Sequence, residues 1–187
     1  MKEEKAIEVG NIFPLGTKYS KAFNLQFTNA EGNKELVTMG SYGIGVGRVM
    51  ATIVETHHDE KGIVWPASVA PYAVHLIALG AKGGDASRVK LQAEPRTIRL
   101  ETGARVKTAA DALYNDLTMA GISVLYDDRD GVSAGEKFAD CDLIGIPVRL
   151  VVSEKTLEKG GVEFKKRGER ETTLVKIDEV VKSLKSV

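Results

Sequence analysis

The residues most suited to chemistry run from Met39-Gly40-Ser41-Tyr42-Gly43 through Ile44-Gly45-Val46-Gly47 to Arg48. Just before the glycines, the apolar run Leu36 to Met39 reads as a strand, and Val49 to Glu55 after them has helical spacing. A strand that breaks on glycines and restarts as a helix brings bare backbone close to a ligand. Arginine at the helix start adds a permanent, five-donor charge suited to phosphate oxygens. The chemistry this allows is nucleotide or polyphosphate binding on the floor of a sheet. The alternative is a glycine-rich turn between packed elements, with Arg48 solvated. Two other glycine loops are excluded. The dinucleotide fingerprint needs a small residue where Arg48 stands, and the P-loop needs a Gly-Lys-Ser/Thr ending.

Three further clusters invite a site. His57 and His58 are neighbours, so on a helix they point about 100° apart and do not chelate one ion as an i, i+4 pair does. A helix C-terminus favours histidine anyway through its dipole, so no metal is expected there. Asp127-Asp128-Arg129-Asp130-Gly131 resembles a calcium loop only superficially, because Tyr126 and Lys137 stand where that loop requires acids. Its plain reading is a solvated turn after a strand. His75 and Cys141 read as core residues, and a single cysteine makes no intramolecular disulfide.

Composition sets the frame for these residues. The 187 residues suffice for one medium domain or two small ones, and 26 basic groups balance 26 acidic ones. No global field announces nucleic acid, but residues 82–107 carry a local basic excess, and a local basic face is enough to bind RNA. No apolar stretch suggests a leader or a membrane span, so a soluble cytoplasmic protein is expected.

The elements that must position these residues fall into two groups. Phe23 to Phe27 and Leu36 to Ser41 read as an antiparallel hairpin around Asn29–Asn33, with Phe23, Leu25 and Phe27 turned toward a core. The helix after the glycines is expected to end near His57-His58-Asp59, with Gly62 as its stop. Pro66 and Pro71 bracket a stiff connector, which divides the chain into domains 1–68 and 69–187. Beyond it, strand and helix alternate: Tyr72–Leu79, Val106–Ala120, Ile122–Tyr126, Ala134–Ile144 and Val148–Val152. Such alternation predicts an α/β layer with a mainly parallel sheet. Gly161–Lys166 and Thr172–Val175 are expected as edge strands, and Ile177–Leu184 as a last helix.

Gly43-Ile44-Gly45-Val46-Gly47-Arg48 resembles motif 3 of the class II aminoacyl-tRNA synthetases. The flanks narrow the resemblance. Glu8-Val9-Gly10-Asn11-Ile12-Phe13-Pro14-Leu15-Gly16-Thr17-Lys18-Tyr19-Ser20 is similar to the segment before motif 3 in the bacterial-type prolyl-tRNA synthetase family. Ile63 to Tyr72 resembles that family's passage into its anticodon-binding domain. Asp127-Asp128-Arg129 and Gly135 to Pro147 match the domain itself. The resemblance implies a partial antiparallel class II catalytic sheet followed by an α/β anticodon-binding domain. The general layout is shared by threonyl, glycyl and histidyl synthetases, but the Gly16 to Ser20 block argues against them.

The resemblance also implies roles. Glu8, Asn11, Gly45 and Arg48 would bind ATP, which arrives with Mg2+, and Arg48 would be the catalytic charge. Phe13, Ser41 and Gly43 would border the proline pocket. Arg129, Lys137 and Phe138 would meet tRNA, though core packing is the favoured reading of Phe138. The implied partners are proline, ATP and tRNA(Pro), the implied assembly is a homodimer, and neither DNA nor membrane is expected. Residues 1–68 contain no counterpart of motifs 1 and 2. The chain is therefore expected to be the C-terminal part of such an enzyme and inactive alone. A tRNA-binding module without catalysis is the competing reading. The stretch Gly80 to Gly103 departs from the family pattern and has no functional account.

Overall fold

The computed structural model describes residues 5–80 and 96–185, and all their side chains except those of 96–102. Of the basic stretch 82–107, residues 82–95 and the side chains of 96–102 lie outside these described residues. Cα packing divides the chain into two compact units between Thr56 and His57.

The first unit contains β1 (Gly10–Gly16), α1 (Lys18–Ala22), β2 (Gln26–Thr28), β3 (Lys34–Leu36), β4 (Met39–Ile44) and α2 (Val46–Thr56). β2 and β3 form a hairpin around the expected turn, in which Gln26 pairs with Leu36 and Thr28 with Lys34, but its second strand is Lys34–Leu36 and not the expected Leu36–Ser41. β4 instead pairs antiparallel with β1. The strand therefore runs through Gly40 and Gly43 rather than breaking on them, because glycine keeps both backbone hydrogen-bonding groups. Only Ser20 is buried among the described residues of this unit. Phe23, Leu25 and Phe27, expected to face a core, are 80%, 48% and 47% exposed. Alternation marks a face to be covered, but no second layer of this unit covers it.

α2 ends at Thr56, earlier than expected. His58 and Asp59 belong instead to β5 (His58–Asp59), which pairs with β6 (Gly62–Ile63). Gly62 is thus a ladder residue at φ +147° and not a helix stop.

The second unit continues with β7 (Val74–Leu79), α3 (Arg96–Met119), β8 (Val124–Asp127), α4 (Ala134–Ile144) and β9 (Val148–Ser153). It closes with α5 (Glu154–Glu158), β10 (Gly161–Lys166), β11 (Thr173–Lys176), a 3-10 turn and α6 (Val180–Leu184). The sheet order is β11-β10-β9-β7-β8. β7 pairs parallel with β8 and β9, while β10 and β11 extend the sheet antiparallel. β10 is therefore internal, and β11 alone is the edge on that side.

Side-chain alternation along β7 explains the two layers. Val74 and Leu76 pack with Val106, Ala110, Leu113 and Leu117 of α3, all at most 1% exposed. Ile77 turns to the other face, against Cys141 of α4 and Val151 of β9. This is the strand covered on both faces that its unbroken apolar run predicts. α4 starts with a Ser133 cap, whose Oγ accepts from the Glu136 N–H, and ends on Gly145 in the left-handed region.

Residues 57–65 pack onto this second unit, which is why the compact units divide before the two prolines. The Arg167 guanidinium donates twice to the Asp59 carboxylate, at 2.7 Å each, and once to the Asp142 carbonyl at 3.0 Å. The Trp65 N–H donates to the Gly145 carbonyl at 3.1 Å. A Cβ on Gly145 would collide with the Ile63 carbonyl, so this close backbone approach requires glycine, as does its φ of +77°.

Candidate functional site

In the first unit, the β1–β4 register sorts the site residues by face. Asn11 pairs with Gly43, and Phe13 with Ser41. With a period of two, these four share one side of the ladder. Gly10, Ile12, Tyr42 and Ile44 share the other. The strand alternation of two short segments, separated by about thirty positions in sequence, thus assembles four of the residues singled out by the sequence reading.

Glu8 connects this face to the helix. Arg48, in the first turn of α2, donates from Nη1 to the Glu8 carbonyl at 2.8 Å and to its Oε1 at 3.2 Å. With its amide oriented to satisfy both of its ends, Asn11 donates to the same Oε1 at 2.9 Å. The Gly45 N–H donates to the Val9 carbonyl at 3.0 Å, which joins the β4–α2 turn to the segment before β1. Glu8, Asn11, Gly45 and Arg48 therefore form one cluster. Both partners of the ion pair remain open, with side chains 55% and 65% exposed for Arg48 and Glu8. A guanidinium held from one side by a carboxylate and open on the other can receive an anion.

The second unit gathers a separate charged cluster at the end of β8. Arg129 donates to both oxygens of Asp127, at 2.9 and 2.8 Å, and to Oδ2 of Asp140 at 2.7 Å. Its side chain is 46% exposed. Burial pushes the Asp127 carboxyl up, but the Arg129 bonds and the Lys137 charge outweigh it and hold it at about 2.

Lys137 corrects the sequence expectation. Its side chain is 3% exposed, and the ammonium donates to the carbonyls of Ala78 and Asp127 at 3.0 and 3.2 Å. With Asp127 Oδ1 at 3.4 Å, its charge is compensated inside the fold. Lys137 ties the ends of β7 and β8 together and presents no cation to solvent. The signal was present: Lys137 stands four residues before buried Cys141, on the same face of α4. Phe138 packs against the Ile77–Cys141–Val151 cluster, with the Arg149 guanidinium 4.5 Å from its ring centre. This packing agrees with its core reading.

His75 and Cys141 are buried as expected. Burial lowers the His75 pKa and pushes the Cys141 thiol up to about 12, so both side chains are uncharged at pH 7. The Asp59–Arg167 pair was not foreseen, since no sequence signal links positions so far apart. No helix among the described residues is long and apolar enough to cross a membrane.

Residues 1–57 match the model of the class II tRNA synthetase core domain (G, H, P, S and T), and residues 89–187 match that of the anticodon binding domain. The chain is 43% identical over 178 residues to a proline–tRNA ligase of Dehalococcoides mccartyi strain CBDB1, covering 95% of this chain and 28% of that protein. Against a proline–tRNA ligase of Legionella pneumophila strain Corby the identity is 46% over 177 residues, 95% of this chain and 28% of the relative. Against that of Thermoanaerobacter sp. strain X514 it is 43% over 187 residues, 100% of this chain and 29% of the relative. The chain thus spans less than a third of the length of these curated relatives. With an α/β unit of the expected order behind a segment that matches the class II tRNA synthetase core, the chain belongs to the anticodon binding domain family and is similar to proline–tRNA ligases along nearly its whole length.

Proposed function

We propose that this chain supplies part of the ATP and proline site, together with the anticodon-binding domain, of a prolyl-tRNA synthetase. The complete enzyme would join proline to ATP as prolyl-adenylate and pass the prolyl group to tRNA(Pro). The observation that best supports this reading is the Glu8-centred cluster, because it joins Asn11 and Arg48 beside a ladder face carrying Phe13, Ser41 and Gly43. Arg48 is the catalytic charge in this reading. It stabilises the negative charge that develops on the phosphates as pyrophosphate leaves. Glu8 and Asn11 are assigned to the nucleoside, Gly45 to the triphosphate turn, and Phe13, Ser41 and Gly43 to the proline side. Mg2+ enters with ATP as part of the substrate. No covalent protein intermediate is needed, so catalysis is positioning plus charge stabilisation.

In the same reading, residues 1–68 derive from the catalytic core and 69–187 from the tRNA-binding domain, with 57–65 a core-derived segment docked on the second unit. Arg129 faces RNA, while Lys137 positions the strand ends beneath it. The complete enzyme is taken as a cytoplasmic homodimer.

Proline-dependent ATP–pyrophosphate exchange tests the assignment of Arg48. The present chain alone should show none. In the complete enzyme Arg48→Ala should cost on the order of 2–4 kcal/mol of transition-state stabilisation, as loss of an oxyanion donor does. Unchanged exchange by that variant would leave Arg48 as a solvated helix-start residue and would sink the assignment.

A further inference from the structure

We propose that the Asp59–Arg167 pair is a clasp that shortens the tether between the catalytic core and the tRNA-binding unit, which makes Arg167 a positioning residue for tRNA charging. This rests on reading the complete enzyme as a prolyl-tRNA synthetase. α2, with Arg48 in its first turn, ends at Thr56, and the chain joins the five-stranded sheet only at β7. Left in solvent, the stretch between them would be a flexible tether. It is fastened instead. The Val64 N–H donates to the His57 carbonyl at 2.9 Å, which closes the loop around the β5–β6 pair. Asp59 accepts from the Lys61 and Gly62 amides at 2.8 and 3.1 Å and so fixes the turn of that loop. The same carboxylate receives the Arg167 fork, whose Nε holds the Asp142 carbonyl of α4.

Three features distinguish a clasp from an ion pair that merely supports the fold. Among the described residues, neither apolar cluster of the second unit includes any of 57–65, so the segment is attached outside the core. The Arg167 side chain is 5% exposed and directs all three guanidinium nitrogens at Asp59 and Asp142, a planar geometry that lysine lacks. Desolvation offsets most of the attraction of a charge taken out of water, so such a pair fixes geometry more than stability. Finally, Gly62 lies against the Leu143 backbone and Gly145 against the Ile63 carbonyl, with no room for a Cβ at either. The loop thus has one seat, on the last turn of α4. With the clasp closed, the joint between Thr56 and His57 is what remains of the tether, where the compact units divide. A tRNA gripped at its anticodon reacts at its far end, so slack near the grip is magnified at the reacting hydroxyl. Effective concentration at the reacting site falls as a tether lengthens.

The test uses the complete enzyme with Arg167→Lys, Asp59→Asn and both changes together. Four quantities are read: kcat/KM for charging tRNA(Pro), tRNA-free proline-dependent ATP–pyrophosphate exchange, affinity for an isolated anticodon stem–loop, and melting temperature. Charging should fall about tenfold in each single variant, and the double variant should fall no further, because both remove one clasp. Exchange and stem–loop affinity should stay within about twofold of the parent, since neither needs the two ends of the tRNA held together. Unchanged charging would overturn the proposal. So would a loss of exchange, stem–loop affinity or melting temperature in step with charging, which would make the pair a support of the fold or of the RNA surface. A parent enzyme that neither exchanges nor charges would instead overturn the synthetase reading, and the clasp with it.

Discussion

The two units put similar sequence material to different uses. In the second, apolar residues on β7, β9 and α3 meet and disappear: Leu76, Leu117 and Leu150 are all 0% exposed. In the first, Ile12 and Tyr42 face each other across the β1–β4 ladder, yet both remain 84% exposed, and Ile44 on the same face is 71% exposed. Helices on both faces of a five-stranded sheet enclose a core, whereas two separate two-stranded ladders and two helices enclose none. The difference teaches where each function is made. The second unit holds its charged cluster on a self-sufficient scaffold. The first holds its strip of candidate residues on strand pairing and a few polar contacts, with its apolar face left exposed.

Core truncation should separate the units most strongly. Leu150→Ala should cost about 2–5 kcal/mol of stability in the second unit. Ile12→Ala in the first should stay within about 0.5 kcal/mol, as for an exposed side chain. Denaturant melts of the two variants make the comparison. Equal losses would mean that the first unit buries Ile12 in solution.

A smaller effect sharpens the boundary between the units. Gly145→Ala places a methyl group against the Ile63 carbonyl at a positive φ, so it should destabilise the second unit by on the order of 2–4 kcal/mol. If residues 57–65 belong to that unit, Trp65 fluorescence should change in the same transition. A separate Trp65 transition would return the segment to the first unit.

The smallest effect concerns pH. Asp127 has its carboxyl lowered from 3.8 to about 2 in the fold. A depressed carboxylate contributes stability that is fully present above the unfolded value and is lost as pH falls through the folded one. Asp127→Asn should therefore flatten the acid dependence of stability between about pH 4 and pH 2, read from melting temperatures across that window. An unchanged slope would mean that Arg129 and Lys137 do not hold the carboxylate in solution.

What could be read in advance divides along the same line. The α4 boundaries, the α3 face carrying Leu113 and Leu117, and the doubly covered β7 follow from periodicity, because burial there is complete and local spacing records it. The glycine–arginine cluster was legible because its residue types are unusual together. Phe23, Leu25 and Phe27 showed a face but not whether it is covered, since periodicity does not encode the partner. Lys137 is buried because its place on the helix outweighs its charge: it shares a face of α4 with Cys141. The Asp59–Arg167 pair joins residues that only the fold brings together.

Native-state hydrogen exchange along the intact chain tests this contrast most directly. Amides of β7 and β9 should exchange only through global unfolding of the second unit, while those of β1 and β4 exchange through local opening and orders of magnitude faster. Equal protection of the β1–β4 ladder and the five-stranded sheet, lost together in one transition, would contradict the account.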